Sequence, residues 1–386
     1  MRRIGVLGGT FNPVHKAHLQ MAALAREQLA LERVLLMVAA DPPHKPVDGG
    51  VDAGTRLEMT RLAAADCAGV EASGLELERP GKSYTVETLR TLKARCPDAA
   101  LWLIVGSDML LDLPRWYRTE EIARLADIAC VPRVGQESED REAARRLEER
   151  FGARVLLLPA KAAPCSSTQV RERLFLGLPA DALVPMPALL YAYERGLYFP
   201  PALRALWEKA CGALGPKRRR HSAGAAVAAA RLAFDWGADC ERARLAALMH
   251  DCAKELSPRR LSVLSGDDTD IPAVQHAFAG AVLAKTLYGV EDEAVLRAIR
   301  RHCTGERGMS LLDKVVYLAD AVEPTRDFAG VDALRSALRE GPDAAMRLAL
   351  GLSEARLKAA PVAGGLHPAT LRAIEEFQNT EKEERH

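Results

Sequence analysis

The chain has 386 residues, of which 48% are hydrophobic and 27% are charged, and its 53 basic side chains nearly balance 52 acidic ones for a formal net charge of +1. This composition is typical of a water-soluble globular protein with about two domains. The balanced charge gives no sign of a nucleic-acid-binding surface, and the lack of any run of 18 apolar residues excludes a membrane-spanning helix. The eight cysteines form no Cys-x-x-Cys pair, so we expect reduced thiols in a cytoplasmic protein.

The first half of the chain alternates short β-branched runs with helical patterns. The N-terminus is expected to lead directly into a strand rather than to form a signal peptide. We predict strands over 3–7, 33–39, 70–73, 101–105, 128–131 and 155–158, and helices over 18–29, 55–64, 85–95, 120–125 and 141–151. This alternation predicts a parallel sheet covered on both faces, with ligands bound beyond the carboxyl ends of the strands.

The second half contains no convincing strand. Pro200 and Pro201 interrupt the helical pattern, and we place a domain boundary there, between residues 1–198 and 199–386. Beyond it, apolar residues recur at helical spacing over 223–234, 242–248, 273–287, 294–299, 311–322, 344–357 and 368–377. The second half is therefore expected to be all-helical.

A phosphate-binding turn is predicted where the first strand ends. Gly8 and Gly9 would let backbone amides approach an anion, and the helix that follows would direct its positive end toward the same place. His15 and His18 lie three residues apart at the start of this helix, so both could face the same phosphates. A glycine turn with two surface histidines would explain this segment equally well if it stood alone.

Other segments strengthen the phosphate interpretation. Asp108 follows a predicted strand, which places a carboxylate at the carboxyl edge of the sheet. Residues 166–171 combine three hydroxyls with an arginine at the start of a helix, which suits a polyphosphate. Segments 82–85 and 115–117 each place an aromatic side chain beside hydrogen-bonding groups, which suits a flat ring.

These segments together resemble the bacterial nicotinate-nucleotide adenylyltransferases. The resemblance covers about residues 1–198, in the order and spacing of the family, and is carried by GGTFNPVHKAH (8–18), PPHK (42–45), SYTVETL (83–89), VGSD (105–108), PRW (114–116) and SSTQVR (166–171). It implies an α/β nucleotidyltransferase fold with a Rossmann-like parallel sheet. The implied reaction is Mg²⁺-dependent adenylyl transfer from ATP to nicotinate mononucleotide, giving deamido-NAD and pyrophosphate.

The resemblance also implies the roles of individual residues. Those expected to bind ATP are Gly8, Gly9, Thr10, Phe11, Gly106, Asp108, Ser166, Ser167, Thr168 and Arg171. Those expected to bind the nicotinate nucleotide are Lys45, Thr85 and Trp116, and those expected to act in catalysis are His15, His18, Lys45 and Arg171. Ala17 stands where the family usually has glycine. An alternative keeps the transferase but gives it the amidated mononucleotide as substrate, or makes it active on both mononucleotides.

The second half holds a different set of polar residues. His250 and Asp251 end an apolar run, and Asp320 ends another. A carboxylate buried at such a place is costly unless a cation pairs with it, which suggests a metal. Imidazole and carboxylate donors suit Fe, Mn, Co or Zn better than Ca²⁺. For any single histidine here, an ordinary core or surface position is the better interpretation.

As a set, His221, His250, Asp251 and Asp320 follow the H…HD…D order of the HD phosphohydrolases, an all-helical superfamily. More narrowly, residues of about 203–378 resemble the bacterial HD-domain symmetrical bis(5′-nucleosyl)-tetraphosphatases. The segments that carry this resemblance are RHSAG (220–224), MHDCAKEL (249–256), HAFAG (276–280), IRRHCTG (299–305) and LADAVEPTR (318–326).

This second resemblance implies a two-metal centre of iron or manganese. The first metal would be bound by the four residues of the H…HD…D set, and the second by His276 and His302, with Asp251 bridging the two. Lys254 and Arg326 would bind phosphate oxygens, and Asp251 and Lys254 would act in catalysis. The implied reaction cuts diadenosine tetraphosphate into two ADP.

The sequence thus predicts a bifunctional enzyme whose partners are small nucleotides: ATP, nicotinate mononucleotide and diadenosine tetraphosphate. Neither nucleic acid nor a membrane is expected as a partner, and a homo-oligomer remains open. Two alternatives concern the HD half: it could hydrolyse another nucleotide, or it could be a regulatory module that binds nucleotides without turnover.

Overall fold

The computed structural model describes residues 2–42, 50–133, 135–159, 164–359 and 364–384. It divides into two compact units: Met1–Glu172 with Ala182–Ala188, and Arg173–Asp181 with Leu189–His386. The units are therefore not two consecutive stretches of chain. The domain boundary expected at residue 199 remains a prediction.

The first unit is built on a sheet of six strands. They are β1 (Arg3–Gly9), β2 (Arg33–Val38), β3 (Val70–Ser73), β4 (Ala100–Gly106), β5 (Asp127–Val131) and β6 (Val155–Leu157). Every pairing is parallel, in the order β3-β2-β1-β4-β5-β6, and in this register Val6 of β1 faces Leu35 of β2 and Leu103 of β4. The predicted parallel sheet is confirmed, and the strand order reverses direction between β1 and β4.

In the described part of the first unit, the helices that lie entirely within it are α1 (Lys16–Gln28), α2 (Ala53–Ala64), α3 (Thr85–Arg95), α4 (Ser107–Asp112), α5 (Thr119–Leu125) and α6 (Glu137–Phe151). Leu89 of α3, Ile122 of α5 and Leu147 of α6 are buried in one apolar cluster with Leu103 of β4. The sequence analysis left α4 out because six residues are too few to show a helical period. The buried cluster holds the strands in place, so the loops at their carboxyl ends are presented from a rigid frame.

Two helices, α7 (Ser167–Phe175) and α8 (Met186–Glu194), begin in the first unit and end in the second. The other helices of the second unit are α9 (Pro201–Cys211), α10 (Pro216–Trp236), α11 (Cys240–Met249), α12 (Pro258–Ser265), α13 (Gln275–Thr286), α14 (Glu293–Arg301), α15 (Leu311–Val322), α16 (Val331–Ala337), α17 (Pro342–Ala359) and α18 (Pro368–Glu384). Among the residues that the structure describes, this unit has no strand, which confirms the all-helical prediction.

Helix α10 packs against both α11 and α15. Its inner face is made of small residues, and Ala223, Ala226 and Ala230 are completely buried. Gly224 lies so close to the loop after α15 that a Cβ atom added there would stand 2.4 Å from Oε2 of Glu323. Small side chains therefore let the backbones of these helices approach closely, which brings polar residues of three helices together. A search of the described residues finds no helix long and apolar enough to span a membrane.

Candidate functional sites

A cavity of about 850 Å³ lies at the carboxyl ends of β1 and β4 in the first unit. This is the point where the strand order reverses, at which open α/β sheets usually bind ligands. Eleven of the residues predicted to bind nucleotide or to act in catalysis line it: Gly8, Gly9, Thr10, His15, His18, Thr85, Gly106, Asp108, Trp116, Ser166 and Ser167. The fold thus gathers segments that lie up to about 160 positions apart in the sequence around one cavity.

Four other predicted residues are placed differently. Phe11 does not line the cavity; its ring lies against Gly9, where an added Cβ would stand 2.9 Å from the ring, so it supports the glycine turn from below. Thr168 and Arg171 do not line the cavity either, and the Arg171 guanidinium donates to the backbone carbonyl of residue 12 at 2.8 Å. Lys45 lies outside the described residues.

The two histidines form a stacked pair at the start of α1. Their ring centroids are 3.6 Å apart, and the backbone N–H of His15 donates to Nδ1 of His18 at 3.2 Å. This bond leaves Nε2 of His18 to carry the proton and to act as a donor. Nδ1 of His15 is buried and has no hydrogen-bond partner among the described residues.

Both imidazoles are neutral at pH 7. Burial, assisted by the charge of Arg133, lowers the pKa of His15 to about 4. Burial and the neighbouring His15 likewise lower the pKa of His18 well below its usual value. Two buried imidazoles at the positive end of a helix would both gain from a bound anion, because its charge would favour their protonated forms.

Arg133 is a cavity residue that the sequence analysis missed. Its guanidinium lies 2.7 Å from the carboxylate of Asp108, and its backbone N–H donates to the Ser107 hydroxyl at 2.9 Å. The Ser107 hydroxyl in turn donates to the buried carboxylate of Asp140 at 2.8 Å. The signal was available, since Arg133 follows β5 directly and so lies at the carboxyl edge of the sheet.

Aromatic side chains line the other side of the cavity. Trp116, Tyr84 and Tyr117 all contribute, and the rings of the two tyrosines are 4.7 Å apart. Thr85 begins α3 beside them, and the Ser83 hydroxyl accepts the backbone N–H of Ala40, two residues after β2, at 2.9 Å, which holds this loop near the end of that strand. The cavity thus combines a polar side for phosphates with a side that suits a flat ring.

The second unit brings together all six residues predicted to bind metal. Nε2 of His221 on α10 lies 3.0 Å from Oδ1 of Asp320 on α15 and 3.1 Å from Nε2 of His250 at the end of α11. Oδ1 of Asp251 lies 3.3 Å from Nε2 of His276 and 3.7 Å from Nε2 of His302. We call these six residues the HD cluster.

Three imidazoles in the HD cluster are oriented by a bond from Nδ1. In His250 and His302, Nδ1 lies 2.7 Å from the backbone carbonyl three residues earlier. In His221, Nδ1 lies 3.1 Å from Oε1 of Glu323. With Nδ1 donating in each, Nε2 presents its lone pair to the centre of the cluster, which is the arrangement of metal-bound histidines.

The donor set fits a divalent transition metal. Oδ1 of Asp251 is buried and accepts no hydrogen bond from the described residues. Nitrogen and oxygen donors from His221, His250 and Asp320 lie within 4.8 Å of one another, as do those of His250, Asp251 and His302. Imidazole and carboxylate donors at this spacing suit Fe, Mn, Co or Zn.

The charges of the HD cluster favour ionised carboxylates. Burial alone would raise the pKa of Asp320, but the hydrogen bond with His221 and the charges of His250 and Arg326 hold it well below its usual range. Burial likewise opposes ionisation of Asp251, yet His250 and His302 lower its pKa well below the usual value. The carboxylates are therefore in the form that binds metal.

Glu323 is a second residue that the sequence analysis missed. It is only 1% exposed, and its carboxylate contacts His221 and accepts the backbone N–H of Thr325 at 2.7 Å. It lies inside the segment LADAVEPTR, but neither its residue type nor its spacing distinguishes it from a surface glutamate. Its role depends on a contact across 102 positions of sequence.

A cavity of about 350 Å³ opens over the HD cluster and is lined by four cationic side chains, Arg218, Lys254, Arg326 and Arg356. Nζ of Lys254 lies 2.8 Å from Nε2 of His276. The Arg218 guanidinium pairs with Asp251 and is only partly exposed. Arg218 belongs to the basic run 217–220, so at least one cation of this run lies beside the HD cluster.

The parallel sheet with its phosphate-side cavity defines a nucleotidyltransferase fold, followed by a helical HD unit. A family model described as cytidylyltransferase-like matches residues 6–173, and an HD domain model matches residues 218–325. A probable nicotinate-nucleotide adenylyltransferase of Gloeobacter violaceus is 44% identical over 201 residues, which cover 52% of this chain and 98% of that protein. A protein of the same description from Pelobacter propionicus is 38% identical over 211 residues, covering 51% and 98% respectively. The chain therefore belongs to the nicotinate-nucleotide adenylyltransferase family, and it carries an HD domain that those relatives do not span.

Two solved structures are similar to parts of the chain. One is a predicted HD superfamily hydrolase involved in NAD metabolism from Clostridium acetobutylicum, at 35% identity, covering 46% of this chain and 96% of that chain with a TM-score of 0.43. The other is the Plasmodium falciparum nicotinic acid mononucleotide adenylyltransferase complexed with NaAD, at 16% identity, covering 51% and 98% respectively with a TM-score of 0.43.

Proposed function

We propose that the first unit transfers the adenylyl group of ATP to nicotinate mononucleotide, giving deamido-NAD and pyrophosphate. The observation that carries this proposal is that one cavity, at the β1–β4 edge, is lined by eleven of the residues predicted to bind nucleotide or to act in catalysis. Family membership supports the same reaction, because the relatives named above are described as probable nicotinate-nucleotide adenylyltransferases.

The proposed chemistry is an in-line displacement. A phosphate oxygen of the mononucleotide forms a bond to the α-phosphorus of ATP, and the bond from that phosphorus to the bridging oxygen breaks as pyrophosphate leaves. The nucleophile is already an anion, so the protein needs no strong general base. His15, His18 and Ser166 would bind phosphate oxygens from the polar side of the cavity, and Trp116 would pack against the nicotinate ring. Mg²⁺ held by the ATP phosphates would neutralise charge on the leaving group.

The test is a direct comparison of the two mononucleotides. The purified chain, ATP and Mg²⁺ are incubated with nicotinate mononucleotide or with its amide, and the dinucleotide product and pyrophosphate are quantified. We expect the acid to be the better substrate. A His18→Ala variant should lose most of kcat, while Gln28→Ala, exposed on the same helix, should match the parent chain. A preference for the amide would support the alternative substrate instead.

We further propose that the second unit is a metal-dependent phosphohydrolase that cuts diadenosine tetraphosphate symmetrically. Its support is the juxtaposition of six metal-binding side chains with a cavity lined by four cations. That cavity suits a ligand with several negative charges, because each phosphate can meet a cationic partner. The narrower choice of substrate comes from the family resemblance of the segments around the HD cluster.

The chain's own residues would bind and orient this substrate. Iron or manganese held by the HD cluster would supply an activated water and polarise the phosphate under attack. Lys254, Arg326, Arg218 and Arg356 would bind the phosphate oxygens, and Glu323 would keep His221 in its binding orientation. One water is consumed, the bond between the two central phosphates breaks, and two ADP leave.

The experiment identifies the products. The chain is loaded with Mn²⁺ or Fe²⁺ and incubated with diadenosine tetraphosphate, beside His250→Ala and the exposed control Thr286→Ala. ADP alone, lost only in His250→Ala, would support the symmetrical hydrolase. ATP with AMP would contradict the symmetrical cut. Tight binding without turnover would support the regulatory-module alternative. Turnover of other nucleotides, but not of diadenosine tetraphosphate, would support hydrolysis of a different substrate.

A further inference from the structure

Cys303 places its sulfur beside two imidazoles of the HD cluster. It directly follows His302, and its Sγ lies 3.1 Å from Nε2 of His302 and 3.1 Å from Nε2 of His276. Because Nδ1 of His302 donates to a backbone carbonyl, Nε2 of that ring directs a lone pair at the sulfur. A thiol sulfur can donate one hydrogen bond and accept another, so these contacts alone are compatible with hydrogen bonding, and what they establish is that the sulfur lies between two imidazoles of the HD cluster.

The three atoms form a compact donor group. Sγ of Cys303 and one nitrogen each from His276 and His302 lie within 4.8 Å of one another. For bonds of about 2.0–2.3 Å, ligand atoms around a tetrahedral metal are separated by roughly 3.5 Å. The observed separations of 3.1 Å are close to this value, and a small outward shift of the side chains would reach it.

A fourth donor faces the same place. Oδ1 of Asp251 accepts no hydrogen bond from the described residues, although Asp251 is only 3% exposed. It lies 3.3 Å from Nε2 of His276 and 3.7 Å from Nε2 of His302. A buried carboxylate oxygen that accepts no hydrogen bond is costly, and a cation bound between it and these two imidazoles, which also contact Cys303, would remove that cost.

We propose that Cys303 is a thiolate ligand of the metal that His276, His302 and Asp251 bind, a role that neither family resemblance assigns to it. This inference rests on the metal centre of the proposed hydrolase and adds a seventh ligand to it. The thiol proton is released to solvent when the metal binds. A thiolate makes this position softer than one of nitrogen and oxygen donors alone, so it favours Zn²⁺, Co²⁺ or Fe²⁺ over Mn²⁺ and Mg²⁺.

The chain offers a matched control for a sulfur variant. Cys240 belongs to the same unit and begins α11, and its sulfur lies near the backbone carbonyls of residues 230 and 238, away from the HD cluster. Replacing Cys240 with serine changes the same atom type without touching a metal ligand. Replacing Cys303 with serine keeps the size of the side chain but removes the sulfur donor.

The test is Co²⁺ titration of the full chain, followed by optical absorption. The d–d bands of cobalt report whether any metal binds, and a sulfur-to-cobalt charge-transfer band in the near ultraviolet reports a thiolate ligand. We expect both signals in the parent chain and in Cys240→Ser, and loss of the charge-transfer band alone in Cys303→Ser. Binding to Cys303→Ser should weaken by about 10- to 100-fold.

Two other outcomes would overturn the proposal. One contradicts only the role of Cys303, and the other also contradicts the metal centre of the proposed hydrolase. Bound Co²⁺ with no charge-transfer band in the parent chain would show that the metal centre exists but that Cys303 is not a ligand. This outcome can be observed in the parent chain without any variant. Absence of bound Co²⁺ by equilibrium dialysis would remove the metal centre of the proposed hydrolase as well. X-ray absorption of the Zn²⁺-loaded chain gives an independent reading, since a sulfur ligand adds a shell at about 2.3 Å.

Discussion

The lowered pKa of His15 predicts that this side chain responds to an anion bound in the cavity of the first unit. With its pKa lowered to about 4, it is neutral when the cavity holds no ligand. A bound triphosphate would place negative charge beside it and would raise its pKa toward or above the ordinary value of about 6.5. The ligand and the proton should therefore bind together.

This coupling predicts that ATP binding takes up protons near pH 6. Between the lowered pKa of the free chain and the raised pKa of the complex, only the complex is protonated. Calorimetry in two buffers of different ionisation enthalpy measures the uptake directly. His15→Asn should reduce it, whereas equal heats in both buffers for the parent chain would show that the imidazoles stay neutral.

Glu323 leads to a prediction about metal affinity. Its carboxylate fixes the Nδ1 side of His221, and outer partners of this kind typically change metal affinity by about 10- to 100-fold. Glu323→Gln should weaken Mn²⁺ binding by that factor while leaving the helical content unchanged. The exposed Glu340→Gln is the control. Unchanged affinity in Glu323→Gln would mean that His221 keeps its orientation without this bond.

At the level of helices and strands, two glycines in helices of the second unit make a matched pair. A Cβ at Gly224 would stand 2.4 Å from Oε2 of Glu323, whereas a Cβ at Gly351 on α17 would meet nothing within 4 Å. The first position requires glycine for close helix packing, and the second does not.

The expected results have opposite signs. Gly224→Ala should lower the free energy of unfolding by roughly 1–3 kcal/mol, because Glu323 must move out of its buried position. Gly351→Ala should raise it by about 0.5–1 kcal/mol through helix propensity. Denaturant unfolding of the two variants, followed by circular dichroism, measures both changes. Destabilisation of similar size in both variants would show that the close contact between Gly224 and Glu323 does not determine the effect of the substitution.

The elements that the sequence predicted are those with a clear period. All six strands were predicted to within two residues because β-branched runs bounded by turns are typical of buried parallel strands. Helix α9 and the short helices α4, α12 and α16 were missed. In α12 only three of eight residues are apolar, and in α4 and α16 the helix is too short for a repeat to show.

The sites were predicted only where a motif exists. The six HD-cluster residues came from a family pattern, and the structure brings them together. Glu323 and Cys303 could not be found in that way, because their contacts with His221 and His276 depend on how distant segments pack. Arg133 could have been found from its place directly after β5. Sequence spacing carries no information on such contacts when the residue type is common on surfaces.

For the molecule as a whole, each of the two compact units contains its own cavity. Among the described residues, none lines both cavities, and the proposed reactions need different metals and different nucleotides. The two active sites should therefore be separable by single substitutions in the intact chain.

This separation can be measured with two variants and two assays. His18→Ala should abolish dinucleotide synthesis and leave the hydrolysis of diadenosine tetraphosphate within about twofold of the parent chain. His250→Ala should abolish the hydrolysis of diadenosine tetraphosphate and leave dinucleotide synthesis within about twofold of the parent chain. Loss of both activities in either variant, with folding retained, would show that the sites depend on one another.

Residues 173–181 belong to the second unit and residues 182–188 to the first, and this limits where the chain can be divided into two separately expressed fragments. A fragment that ends at Glu172 loses Ala182–Ala188, and with it the carbonyl of Leu183, which accepts the backbone N–H of Lys16 at 2.8 Å. That amide belongs to the first turn of α1, immediately after His15. A fragment that ends at Ala188 keeps this bond but also carries Arg173–Asp181, whose packing partners lie in the missing half. Separately expressed halves would therefore need overlapping ends, and a single clean cut would leave one of them incomplete.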